Sequence, residues 1–116
     1  MVKSIEKWQF GDFQTPDNLA REVVQILRTN HQISPKIIIE PSCGKGAFIR
    51  SALSAFENSK IIGLDINKEY VKETKLSISE YSNAENLTIY ESDFFDTDWK
   101  DFISNLSGYI LVIGNP

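Results

Sequence analysis

Cysteine and histidine are nearly absent: among 116 residues, Cys43 is the single cysteine and His31 the single histidine. One thiol cannot form an internal disulfide, so the fold must rest on its core, and a reducing cytoplasm is the expected compartment. One imidazole excludes a metal centre built on several histidines, and no metal is expected. No apolar run approaches the roughly 20 residues needed to cross a bilayer, and the opening MVKSIE lacks the apolar stretch of a signal peptide. Positive charge is short too: 12 Lys and Arg against 16 Asp and Glu leave a net charge of −4. A surface that tracks phosphates needs clustered basic residues, and here they are scattered. Either the substrate is not a nucleic acid, or the groups that grip it lie outside this chain.

What is present is an alternation of strand and helix patterns within the length of one domain. Residues 36–40, KIIIE, form a short β-branched run suited to a strand buried on both faces. A glycine-bearing turn follows, then a helical stripe of Phe48, Ile49, Ala52, Leu53 and Phe56. Residues 60–65, KIIGLD, repeat the strand logic, and Asn67 is placed to cap a helix carrying Tyr70, Val71, Ile78 and Tyr81. Residues 87–91 and 109–113 read as two more strands, separated by a short helix with Trp99, Phe102, Ile103 and Leu106. Upstream, residues 16–28 carry Leu19, Val23, Ile26 and Leu27 at amphipathic spacing, with Thr15 expected as N-cap and Pro16 in the first turn. Strands separated by helices imply βαβ units, hence an α/β, doubly wound parallel half-sheet with a preceding helix. The fourth strand is expected to gain neighbours from a continuation, so residues 1–116 are expected to be a truncated domain.

Ligands of open α/β sheets bind beyond the carboxyl ends of the strands, which directs attention to the post-strand segments. The first, Glu40-Pro41-Ser42-Cys43-Gly44-Lys45-Gly46, has G-x-G spacing between strand and helix. Such a turn either joins the two elements or lets a ligand approach backbone closely. A dinucleotide fingerprint would place a third glycine at position 49, where Ile49 stands, and Glu40 would repel a pyrophosphate but attract a cationic sulfonium amino acid. Asp65, with Ile66 after it, stands about 20 residues beyond the loop, where an acid can either cap a helix or accept from two ribose hydroxyls. Asp93-Phe94 is either a turn acid with a core ring, Phe95 being an equal candidate for that ring, or an adenine contact. Asn115-Pro116 is either a turn starter or a pair of oxygens able to accept both hydrogens of an exocyclic amine. Cys43 reads as a small loop residue rather than a nucleophile.

Together these segments resemble the class I S-adenosylmethionine-dependent methyltransferases, and within them the N6-adenine DNA methyltransferases of restriction–modification systems. Residues 40–49, EPSCGKGAFI, are similar to that family's cofactor loop, (D/E)-P-x-x-G-x-G-x-(F/L); Asp65 matches its ribose acid and Asp93-Phe94 its adenine-contacting pair. Residues 112–116, VIGNP, resemble the start of its catalytic Asn-Pro-Pro-aromatic tetrapeptide, and residues 10–16, FGDFQTP, its G-x-(F/Y)-x-T-P segment. The resemblance implies a Rossmann-like fold and S-adenosyl-L-methionine as cofactor. It implies cofactor contacts from Thr15, Pro16, Glu40, Pro41, Ser42, Cys43, Gly44, Gly46, Phe48, Asp65, Ile66, Asp93 and Phe94, with Asn115 and Pro116 catalytic. DNA is the implied partner, held chiefly by a C-terminal region beyond these residues, together with a cognate restriction endonuclease. An RNA base or a protein glutamine is the alternative acceptor. A non-catalytic scaffold or an NAD-linked oxidoreductase would be a different class.

Overall fold

A computed structural model gives the structure, and residues 14–115 are described. Helix α1 spans Asp17–Gln25 and runs into a π-helical turn, Ile26–Asn30, in which His31 N–H donates to Ile26 C=O at 3.2 Å. Strand β1 is Ile37–Glu40, α2 Ala47–Ala55, β2 Lys60–Asp65, α3 Lys68–Ser77, β3 Leu87–Glu91, α4 Trp99–Ser104 and β4 Ile110–Val112. The strands form one sheet in the order β3-β2-β1-β4, every pair parallel. The parallel α/β class expected from the alternation is therefore the observed one, in the Rossmann-like form that the resemblance implies.

The isoleucine run of β1 is buried on both faces, as a central parallel strand requires. Toward one face, Ile38, Ile61 and Ile89 join a cluster with Ala20 and Val24 of α1, Phe48, Ile49, Ala52 and Leu53 of α2, and Val71 of α3. Toward the other, Ile37, Ile39, Ile62 and Leu64 meet Trp99 and Phe102 of α4, with Leu106 and Ile110. Among the described residues the helices are thus unevenly shared, with α4 supplying the helical cover on the second face. Among the described residues, no helix is long and apolar enough to cross a membrane.

Two local expectations change. Thr15 does not cap α1: the N-cap is Pro16, no side chain caps the helix, and Asp17 opens it. Proline fixes the extended-to-helical entry through its own ring, and the Thr15 hydroxyl is used elsewhere. The last helix position expected upstream, Arg28, lies in the π turn, because the bonding there slips from i→i+4 to i→i+5. Asn67 caps α3 as expected, its Oδ1 accepting from Glu69 and Tyr70 N–H at 3.0 and 3.2 Å.

Strands β2 and β3 run outward on one side of β1, while β4 lies on its other side. The connection order reverses between β1 and β4, and the crevice beyond their carboxyl ends is where such sheets bind ligands.

Candidate functional site

The loop after β1 is held from every side. Each backbone N–H from Ser42 to Gly46 already has an acceptor. Ser42 donates to Glu40 Oε1 at 2.9 Å, Cys43 to Leu64 C=O at 2.9 Å and Gly44 to Asp65 Oδ2 at 2.7 Å. Lys45 donates to Gln14 Oε1 and Gly46 to Cys43 C=O, both at 2.9 Å. On the carbonyl side, Thr74 Oγ1 donates to Gly44 C=O at 3.0 Å and Arg50 Nη1 to Lys45 C=O at 2.6 Å. Gly44 and Gly46 take φ of +54° and +92°, left-handed values that make this tight path accessible to glycine. Loops that seat a pyrophosphate do so with unpaired amides. This loop offers none among residues 42–46.

Two acids flank it. Glu40 is only 3% exposed, and burial pushes its carboxyl up to about 7, with the Ser42 N–H opposing the rise and the charge of Asp65 adding to it. Asp65 ends β2 and is half-buried; its second oxygen, Oδ1, accepts from Asn67 N–H at 2.8 Å. A carboxylate has about four acceptor positions, so after two backbone bonds Asp65 retains capacity for two hydroxyls. Cys43, between these acids, is buried, and burial followed by the charges of Asp65 and Glu40 raises its thiol to about 12. A thiol in that setting is no nucleophile near neutral pH.

The remaining expected residues lie around the same strand ends, with differing exposure. Pro41 and Ser42 are half-buried in the loop, and Ile66 is 66% exposed just beyond Asp65. Phe48 is buried in the helical core cluster, one residue into α2. After β3, Asp93 Oδ1 accepts from Phe95 N–H at 2.9 Å, and Trp99 Nε1 donates to Phe94 C=O at 2.9 Å. The Phe94 ring tilts against Trp99 at 5.3 Å between centroids, whereas Phe95 is 89% exposed. The ring that packs against Trp99 is therefore Phe94, with Phe95 edge-on to it at 5.2 Å.

The end of β4 meets the end of β1. A side chain on Gly114 would run into the Glu40 carboxylate. Asn115, next along, donates through Nδ2 to Thr15 Oγ1 at 3.5 Å. Pro116, like Phe10, Gly11, Asp12 and Phe13 of the upstream motif, lies outside the described residues.

Gln14, Arg50 and Thr74 carry much of this arrangement without having been singled out by sequence. Gln14 sits inside the upstream motif, but nothing in its type announces a partner 31 residues away. Arg50 and Thr74 read as ordinary polar helix positions. The one available signal is that Arg50 follows Gly46 by a single helical turn, its N–H donating to Gly46 C=O.

A parallel β3-β2-β1-β4 sheet, with acids at the carboxyl ends of β1 and β2 around a glycine turn, has the fold of S-adenosylmethionine-dependent methyltransferases. In sequence the chain is similar to type II methyltransferases. It is 40% identical to the type II methyltransferase M.NspV of a Nostoc species over 99% of this chain and 24% of that protein. It is 28% identical to M.CvrRI of Paramecium bursaria Chlorella virus XZ-6E, over 96% of this chain and 25% of the relative. The chain thus spans about a quarter of the length of these two relatives. Among solved structures, a candidate RNA methyltransferase from Pyrococcus horikoshii superposes with a TM-score of 0.68 at 23% identity, covering 90% of this chain and 47% of that one. An RNA methyltransferase from Salinibacter ruber in complex with S-adenosyl-L-homocysteine gives 0.58 at 18% identity, over 74% and 54%. No family model matches the chain.

Proposed function

We propose that this chain is the S-adenosylmethionine-binding part of a larger DNA methyltransferase acting on the N6 amino group of adenine. The commitment of every amide from Ser42 to Gly46 carries the cofactor half of the reading. Within residues 42–46 no amide is left for a phosphate, which supports a nucleoside bearing an amino acid over a dinucleotide. The acceptor set suits that ligand. Glu40 offers a buried carboxyl to a cation, and Asp65 has acceptor capacity left for the ribose.

Bound S-adenosylmethionine supplies an electrophilic methyl group on a positively charged sulfur. The open first turn of α1, beside Thr15 and Pro16, suits the carboxylate of its methionine moiety, since no side chain caps that helix. Pro41, Ser42, Cys43, Gly44 and Gly46 shape the floor, with Phe48 anchoring the turn into the core. Ile66, Asp93 and Phe94 suit the adenine end, Phe94 by ring packing and Asp93 by accepting from the amino group.

Asn115 gives the acceptor chemistry. With Nδ2 turned to Thr15, its Oδ1 is left to accept from an exocyclic amine, drawing electron density onto the nitrogen that attacks. Pro116 would share that task through its carbonyl. The target base would have to leave the duplex to reach this position. The type II methyltransferase relatives support DNA as partner, and a cognate restriction endonuclease is the functional counterpart we propose.

An RNA acceptor is the second reading, favoured by the RNA methyltransferases among the superposed structures. Calorimetry on the intact protein with S-adenosylhomocysteine and with NAD tests the cofactor: preferential NAD binding would sink it. A tritiated-methyl assay on DNA, RNA and protein fractions tests the acceptor, and label confined to RNA would overturn the DNA choice.

A further inference from the structure

Arg50 holds three separate elements with one guanidinium. Nη1 donates to the Lys45 carbonyl of the loop at 2.6 Å and to Ser77 Oγ, at the end of α3, at 3.1 Å. Nη2 pairs with Asp17 Oδ1, in the first turn of α1, at 2.6 Å. The opposite side of the same stretch of loop is held by Gln14, which accepts from Lys45 N–H. Lys45 is therefore gripped at both its N–H and its C=O by groups outside the loop. A turn with left-handed glycines on either side of Lys45 has more freedom than most backbone, and it keeps one shape only if something outside constrains it. Space for the grip exists because Gly46 has no side chain: a Cβ there would lie 3.2 Å from Arg50 Nη1. Asp17 would otherwise place an unpaired negative charge at the amino end of α1, where an anionic group of a ligand is best received. The ion pair offsets that charge.

We infer that Arg50 is a positioning residue for the methyl-donor site, fixing the Lys45 peptide between α1 and α3 and neutralising Asp17 at the α1 terminus. This rests on the cofactor reading above and goes beyond it, because Arg50 lies outside the residues from which the resemblance implies cofactor contacts. The role needs a planar fork with several donors, which lysine cannot reproduce.

The test is calorimetric titration of the intact protein with S-adenosylhomocysteine. Arg50→Gln should weaken Kd about tenfold at unchanged stoichiometry, the signature of a misplaced loop in a folded protein. Asp17→Asn should weaken it less. The double variant should be no weaker than Arg50→Gln alone, since both changes act through one side chain. A wild-type Kd in Arg50→Gln would overturn the proposal, as would a fall in stoichiometry at wild-type Kd, which reports lost folded protein only. If Arg50→Gln does not fold, Arg50→Lys decides: a several-fold weaker Kd supports the fork, and a wild-type Kd overturns it. Absence of binding by the unaltered protein would overturn the cofactor reading itself, and this proposal with it.

Discussion

Thr15 and Asn115 stand one hundred residues apart in sequence, yet the amide of Asn115 donates to the hydroxyl of Thr15. The contact ties the segment before α1 to the segment after β4, across the crevice where the strand order reverses. With the Asn115 amide nitrogen turned to Thr15, its oxygen is the atom left for an amine.

Kinetics on the intact protein can separate the two residues. Asn115→Ala should keep the affinity for S-adenosylhomocysteine and lose methyl transfer by at least about a hundredfold, as loss of a transition-state contact does. Thr15→Val keeps the shape and removes the acceptor. It should lower kcat several-fold, with Asn115 left free to turn. Normal turnover in Asn115→Ala would reject its assignment.

Glu40 predicts a pH dependence. Its carboxyl titrates near 4.5 when unfolded and about 7 in the fold, so between those values the folded state holds a proton that the unfolded state has lost. Stability is therefore greatest at the acid end of this window and falls as pH rises through 7, by about 3 kcal/mol. Urea melts at pH 5 and pH 8 should show the fall in the wild type and a flatter response in Glu40→Gln. A bound cation favours the ionised form, so affinity for S-adenosylmethionine should rise over the same range in the wild type alone. Equal slopes in both proteins would falsify the assignment.

Gly46→Ala combines two penalties. The left-handed φ of +92° costs a non-glycine residue roughly 1–2 kcal/mol, and the new Cβ would sit 2.7 Å from Thr74 Cγ2 in a fully buried position. Denaturant unfolding should register a loss at least that large. Asn67→Ala, by comparison, should cost about 1 kcal/mol through the lost cap on α3. An unaffected Gly46→Ala would mean that the loop path is not fixed as described.

The two phenylalanines after β3 should behave differently. Phe94→Ala should weaken cofactor binding several-fold and shift the fluorescence of Trp99, against which the ring packs. Phe95→Ala removes a ring that is 89% exposed and should change stability by less than about 0.5 kcal/mol. The reverse ranking would reassign the pair.

The sheet is legible in the patterning of the sequence. β2 and β3 fall on the expected residues because both are short β-branched or aromatic runs ending at an acid and flanked by turn formers. Burial of Ile38 and Ile39 toward opposite clusters follows from a run with no polar break. Asp65 and Glu40 were legible as strand-end acids, but their bonds to the loop amides were not, since such bonds depend on how two strand ends approach in space. The same holds for Gln14, Arg50 and Thr74, whose partners lie 30 or more residues away or on another element. The error at Thr15 has a local cause: threonine before proline suggests a cap, but here proline occupies the cap position itself. The π turn leaves no mark in composition, being a slip of register that many sequences can adopt.

A loop whose amides are all spoken for has a consequence for metabolism. Adenosine is shared by many abundant cellular compounds, and most of them carry it on a chain of phosphates. With Glu40, Asp65 and Gln14 filling the Ser42, Gly44 and Lys45 amides, this stretch of loop offers such a chain no donor. Rivals that outnumber the intended guest could share its adenosine contacts but would find no further hold at the turn, so selectivity would survive crowding without any group devoted to repelling each competitor.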